Sequence, residues 1–173
     1  MTAVRIGTGL DIHAFVDPDA GPTGAADRTR PLVLCGVRLP DGPPLAGHSD
    51  ADVGAHAVAD ALLGAAALGD LGERFGVDRP ETAGADSMAL LRTVVADVAA
   101  AGFEVGNVDL TLVAQRPRLA PHRDAMRANL AAALHLDVAA VSVKFTTTDR
   151  LGTIGRGEGI AGWCGALLLG VHR

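Results

Sequence analysis

Two clusters of this sequence place metal-type ligands where they could meet. The first is Asp11-x-His13. In a strand, residues two apart point to the same side, so a carboxylate oxygen and an imidazole nitrogen project together. The second holds His48, Ser49, Asp50, Asp52, His56 and Asp60. Ser49 with Asp52 reads as a capping box opening a helix. Asp52, His56 and Asp60 are spaced by four and share one helix face. His48 stands just ahead of that helix, where free N–H groups and the dipole attract anions. Asp11, His13 and His56 together form a three-ligand N/N/O set, which suits zinc, or another divalent metal, with its fourth position open. Asp60 is then a partner for the second ring nitrogen of a histidine. The alternative is three polar groups satisfied separately at the surface.

Two further clusters suit phosphate and nucleotide. Thr146, Thr147 and Thr148 precede Asp149, and Gly152, Gly155, Arg156, Gly157, Glu158 and Gly159 follow. Strand-end hydroxyls can contact phosphate oxygens. Asp149 can ligate magnesium, which favours one or two carboxylates plus phosphates. Glycines admit close backbone approach, and Arg156 offers a bidentate contact. The pattern is not a P-loop, because G-x-x-x-x-G-K-[ST] is absent. The alternative is a threonine-rich strand, a glycine turn and a solvated arginine. Ala114, Gln115, Arg116, Pro117, Arg118, Leu119 and Ala120 form a proline-containing turn between a strand and a helix. Its backbone could read a base edge, or it could be a plain charged connection. Asp70-Leu71-Gly72 reads first as a helix stop. Asp97 and Glu104 read as surface charges, and Trp163 as core. No serine-nucleophile motif or Cys–His pairing is present, which narrows the mechanism: a substrate that carries its own nucleophile needs none from the protein.

The elements that must position these groups alternate in type. Residues 3–15 and 108–115 alternate apolar and polar as half-buried strands do. Residues 32–39 and 141–148 read as short strands, and 160–171 as a fully apolar one. Helices are predicted over 51–68, 86–101 and 121–136, the last with proline at its start. Residues 16–31 are a Pro/Gly-rich loop. The expected fold is α+β, a sheet with helices on one face, in a single domain spanning residues 1–173.

Composition bounds the rest. The chain has 173 residues, 49% hydrophobic, with a net charge of −5. One lysine, Lys144, and five aromatic residues argue against a nucleic-acid surface. The longest uncharged apolar run is 13 residues, 159–171, against about 20 for a bilayer span. Residues 1–5 hold no signal-peptide apolar region, so the cytoplasm is expected. Cys35 and Cys164 lie in apolar stretches and read as buried small hydrophobes. Mean hydropathy of +0.28 is high for a small monomer, which points to surface buried in a homo-oligomer.

These motifs together resemble the 2-C-methyl-D-erythritol 2,4-cyclodiphosphate synthase family of the non-mevalonate isoprenoid pathway. The matching pieces are residues 5–15, 47–72, 84–87, 106–109, 114–117, 144–149 and 156–160. The resemblance implies a four-stranded mixed sheet with helices on one side, assembled as a homotrimer with active sites shared between subunits. It implies zinc on Asp11, His13 and His56, and magnesium or manganese at the substrate diphosphate with Asp149 as protein ligand. The substrate it implies is a small cytidine diphosphate, whose 2-phosphate attacks its own β-phosphorus and expels CMP. By the same resemblance His48 and Thr147 stabilise the transition state. Ser49, Asp70 and Gly72 line the erythritol-phosphate side, and Asp11, His13, His48 and Leu71 are further substrate contacts. Residues 114–120 and Thr146 to Thr148 of an adjoining subunit hold the cytidine and its phosphates, with Asp149 beside them as the metal ligand, and Arg156 adds charge near the phosphates or at the trimer axis.

Four positions depart from the family pattern. Asp149 stands where Glu is usual. The loop Gly76-Val77-Asp78-Arg79 lacks the usual proline and acidic run. Thr153 replaces a frequent Phe beside a central cavity that can accept an isoprenoid diphosphate, and residues 17–30 look like an insertion. Two competing readings use the same residues. One is a metal-dependent nucleotide phosphohydrolase with water as nucleophile. The other is a noncatalytic trimer that binds cytidine or isoprenoid diphosphates.

Overall fold

A computed structural model describes residues 3–16, 29–76 and 84–171. The 17–30 segment therefore lies outside the described residues except for Thr29 and Arg30, and the 76–79 loop except for Gly76.

The chain runs β1 (Val4–Ala14), β2 (Leu32–Leu34), β3 (Val37–Leu39), α1 (Val53–Ala66), α2 (Leu71–Phe75) and α3 (Ser87–Ala100). It continues with β4 (Phe103–Ala114), α4 (Arg123–Leu134), β5 (Val141–Thr146), α5 (Gly152–Gly155) and β6 (Gly159–Gly170). The main sheet has the order β1-β6-β4-β5. β6 pairs antiparallel with β1 and β4, while β4 and β5 are parallel, so the sheet is mixed. The α+β expectation holds. Helices α1, α3 and α4 pack on one face, around Leu62, Leu91, Leu110, Leu130 and Leu168, all fully buried.

Helix α1 sits directly on the backbone of β1, and the sequence explains why. A Cβ at Gly7 would lie 2.0 Å from the Ala61 carbonyl oxygen, and one at Gly9 2.1 Å from that of Ala57. Small residues on both sides, Gly7 and Gly9 facing Ala57, Ala61 and Ala65, let strand and helix approach to contact. This approach carries His56 of α1 over Asp11 and His13 of β1.

The N-terminus of α1 differs from the expected capping box. Asp52, fully buried, is the cap, and its Oδ1 accepts from Gly54 and Ala55 N–H at 3.1 and 3.0 Å. The same carboxylate accepts from Cys35 N–H and Gly36 N–H, both at 2.7 Å. Asp52 is therefore committed to the interior rather than to a face shared with His56. Its second task explains another difference. Residues 32–39 form a hairpin, β2–β3, instead of one strand. The turn puts Cys35 at φ 50° and Gly36 at φ 71°, the left-handed pair of a type I′ turn. Asp52 binds both N–H groups of that turn and so stabilises a conformation that Cys disfavours.

The other sheet face is open. Ile6 is 76% exposed, Leu10 62% and Trp163 60%. The expectation of Trp163 in the core is thus corrected. β6 is apolar throughout, yet its side chains alternate with period two, and Trp163 opposite Leu10 falls on the face without helices. Cys35 and Cys164 are free and buried, as expected.

Candidate metal centre and adjoining clefts

Asp11 and His13 come from β1 and His56 from the first turn of α1. Their ligand-type atoms all lie within 4.8 Å of one another. Asp11 Oδ1 accepts from Ile12 N–H at 2.9 Å, which turns Oδ2 inward. That oxygen lies 2.9 Å from His56 Nδ1 and 3.1 Å from His13 Nε2. The far nitrogen of each ring is held by the protein. His13 Nδ1 lies 2.5 Å from the Ala46 carbonyl oxygen, so it carries the proton. His56 Nε2 lies 2.8 Å from Ser87 Oγ and 3.2 Å from Ser49 Oγ.

The electrostatics follow from this clustering. Burial pushes the Asp11 carboxyl up, but hydrogen bonds and charge from His13 and His56 outweigh it and hold the carboxyl well below the usual range. Burial opposes charging of His13, yet the Asp11 carboxylate and the Ala46 carbonyl leave its pKa raised. With Nδ1 of His13 held by the Ala46 carbonyl, Nε2 is the nitrogen turned toward Asp11 and the one that a metal would take. One carboxylate and two imidazoles then converge on one point, the donor set of a divalent-metal site with an open position. Three residues fit zinc.

The cluster opens on a cavity of about 410 Å³ lined also by His48, Ser49, Asp60, Leu71, Gly72 and Phe75. His48, Ser49, Leu71 and Gly72 thus line the same cavity as Asp11, His13 and His56. Asp70 does not line this cavity. It caps α2, accepting from Glu73 N–H at 2.8 Å. Asp60 is not the outer partner of a histidine either. Its Oδ1 accepts from Leu71 N–H at 2.9 Å and ties α2 to α1. Burial, then repulsion from Asp70 and Asp11, raises its pKa. Asp97, read as a surface charge, anchors the other side of α2 through Arg74 Nε at 2.6 Å.

A second cavity, about 460 Å³, is lined by Ala114, Gln115, Arg116, Pro117, Arg118, Leu119, Ala120, Phe145, Thr146 and Thr147. The predicted turn and the threonine strand therefore meet. Within one chain this cavity shares no lining residue with the first. Thr148 Oγ1 donates to the Leu151 carbonyl at 2.7 Å. Asp149, at φ 51°, folds back so that its Oδ1 accepts from Thr147 Oγ1 at 3.3 Å. Arg156 is exposed and bound in a fork by Glu158, at 2.5 and 3.2 Å.

Ser87 and Asp50 were missed as site residues. The signal was faint. Ser87 belongs to the 84–87 piece of the family pattern, but nothing in the spacing links it to a histidine 31 positions away.

A mixed four-stranded sheet with a carboxylate–bis-imidazole cluster at a cleft defines an α+β protein with a divalent-metal-type centre. The chain matches the YgbB family over residues 4–169. It is 52% identical over 165 residues to the 2-C-methyl-D-erythritol 2,4-cyclodiphosphate synthase of Burkholderia thailandensis, covering 95% of each chain. It is 55% identical over 156 residues to that of Chromobacterium violaceum, covering 90% of this chain and 92% of the relative. Among solved structures, it resembles the bifunctional IspDF of Campylobacter jejuni with a TM-score of 0.88 at 39% identity, covering 98% of this chain and 43% of that one. It resembles IspF of Plasmodium falciparum in a CDP complex with a TM-score of 0.81 at 29% identity, covering 98% of both. The chain belongs to the YgbB family, whose members similar to it are 2-C-methyl-D-erythritol 2,4-cyclodiphosphate synthases.

Proposed function

We propose that this chain cyclises 4-diphosphocytidyl-2-C-methyl-D-erythritol 2-phosphate to 2-C-methyl-D-erythritol 2,4-cyclodiphosphate and releases CMP. It does so as one cytoplasmic domain of isoprenoid biosynthesis. The observation that carries this reading is the convergence of Asp11, His13 and His56 at the edge of a cleft that also holds His48 and Ser49. A 2-phosphate oxygen forms a bond to the β-phosphorus. The bond from that phosphorus to the α–β bridging oxygen breaks, and CMP leaves with the electron pair. A phosphate monoester is mostly ionised at neutral pH, with a second pKa of about 6, so the protein need not deprotonate the nucleophile.

The work of the protein is therefore positioning. Holding both ends of one substrate in a near-attack shape can supply effective molarities of about 10⁵–10⁸ M. Asp11, His13 and His56 would hold zinc, which supplies positive charge that polarises phosphoryl oxygens. Asp149 would hold magnesium or manganese at the diphosphate. His48 and Thr147 donate hydrogen bonds to oxygens that gain charge in the transition state, and Arg156 adds charge near the phosphates. Ser49, Leu71 and Gly72 border the erythritol-phosphate end, with Asp70 behind them as the cap of α2. The 114–120 turn with Thr146 to Thr148 takes the cytidine and its phosphates.

The active unit of this reading is a homotrimer with each site completed by a neighbour. Two facts support it. The open sheet face carries Val4, Ile6, Leu10, Ile12 and Trp163, each at least 58% exposed, more apolar surface than a monomer tends to leave in one patch. The two cavities also lack a common lining residue within one chain. The test is His56→Ala. The variant is expected to fold and assemble while CMP production collapses. Undiminished production would remove the metal set from the mechanism.

A further inference from the structure

We infer that Ser87 and Asp50 form a positioning pair for His56. They hold its Nε2–H inside the protein and so turn the Nδ1 lone pair toward Asp11 and His13. The inference rests on the metal reading of those three residues and deepens it.

The hydrogen-bond inventory forces the direction. A serine hydroxyl has one proton to give. Ser87 Oγ donates it to Asp50 Oδ1 in a short hydrogen bond. The same pair is locked a second time, since Ser87 N–H donates to Asp50 Oδ2 at 3.3 Å. With its proton committed, Ser87 Oγ can only accept from His56 Nε2, 2.8 Å away. Nε2 therefore carries hydrogen, and in a neutral imidazole the other nitrogen is then a lone pair. That nitrogen is Nδ1, 2.9 Å from Asp11 Oδ2. Ser49 Oγ, already accepting from Ala51 N–H, borders the same nitrogen at 3.2 Å.

The arrangement is built rather than incidental. Ser87 is only 1% exposed and is the first residue of α3, directly after the cap Asp86. Asp50 lies two residues before the cap of α1. The pair thus joins the starts of two helices behind one metal ligand. Outer partners of this kind fix ring orientation, and their loss costs about 10–100-fold in metal affinity or activity.

The test is zinc affinity of the metal-free protein, read by competition with a chromophoric chelator. The d–d spectrum of the cobalt-loaded protein is the second readout. Ser87→Ala is expected to weaken zinc about 10–100-fold and to shift the cobalt bands, because the ring loses its fixed orientation. Asp86→Ala is the structural control. It removes the α3 cap bond to Met88 N–H, at 2.9 Å, without touching the relay, and should leave affinity unchanged. If Ser87→Ala fails to fold by circular dichroism, Asp50→Asn replaces it, with weaker zinc binding again expected. An amide can donate to Ser87 Oγ and release the hydroxyl proton toward Nε2. A folded variant with wild-type zinc affinity and cobalt spectrum would overturn the inference alone. Failure of the wild-type protein to bind zinc would overturn the metal reading with it.

Discussion

Adding one methyl group at Gly9 should separate the metal ligands without touching any of them. An alanine Cβ there would sit 2.1 Å from the Ala57 carbonyl oxygen and 2.6 Å from Ala61 N. Neither atom can swing away, because both are backbone of α1. Ordinary contact begins near 3.4 Å, so the helix must retreat by about 1.3 Å, and backbone shifts forced by overpacking cost about 1–3 kcal/mol. His56 precedes Ala57 and moves with it. Metal–ligand distances tolerate about 0.2 Å, so zinc affinity should fall sharply in Gly9→Ala even where the fold survives. Gly64→Ala is the matched comparison on the same helix. Its nearest neighbour would be the Thr8 carbonyl at 3.9 Å. There the helix-propensity gain of about 0.5–1 kcal/mol is unopposed, raising Tm by roughly 1–4 °C for a chain of this size. Denaturant titration and chelator competition, at one protein concentration, measure both. Equal stability and equal zinc affinity in Gly9→Ala and wild type would refute the close strand–helix approach as the device that builds the site.

Three other outcomes are expected. Asp52→Ala should cost about 3 kcal/mol or more in a denaturant titration, since it removes a helix cap worth about 1 kcal/mol and strands two hairpin N–H groups at about 1–3 kcal/mol each; a loss under 1 kcal/mol would contradict its double role. Asp60 has a raised folded pKa, so the folded state binds more protons than the unfolded chain above the ordinary value of 3.8, and stability falls as pH rises through the folded pKa. Asp60→Asn, which still offers an oxygen to Leu71 N–H, should remove that fall: metal-free variant and wild type match at low pH, and the variant is the more stable at neutral pH. Trp163→Glu should leave the protomer folded, because the side chain is 60% exposed, but shift sedimentation from the proposed trimer to smaller species; a variant that sediments as wild type does would place any interface elsewhere.

The cluster of Asp11, His13 and His56 was legible because each part obeys a local rule. Strand alternation puts Asp11 beside His13, and the dense 48–60 segment marked a helix start. What the sequence could not place is whatever depends on who sits opposite. Asp52 and Asp60 have the spacing of a shared helix face with His56, but one turned into a hairpin and the other toward α2. Each accepts from the backbone N–H of a distant segment that no pattern names. The β2–β3 turn was hidden because Cys35-Gly36 lacks the Asn-Gly signature, and its support comes from 16 or more residues away. Trp163 was misplaced because an all-apolar strand hides its own period. Ser87 stands within a matching piece of the family pattern but shows no partner in the sequence, since a relay across two helix starts leaves no periodic trace.

The most direct test is ³¹P NMR of the purified protein with the cytidyl substrate, magnesium and zinc. Two mutually coupled diphosphate resonances of a strained ring, rising together with CMP, are the expected result. They would place the attacking oxygen on the substrate itself. CMP accompanied only by open-chain phosphates would mean that water makes the attack, and the cyclase reading would give way to a phosphohydrolase.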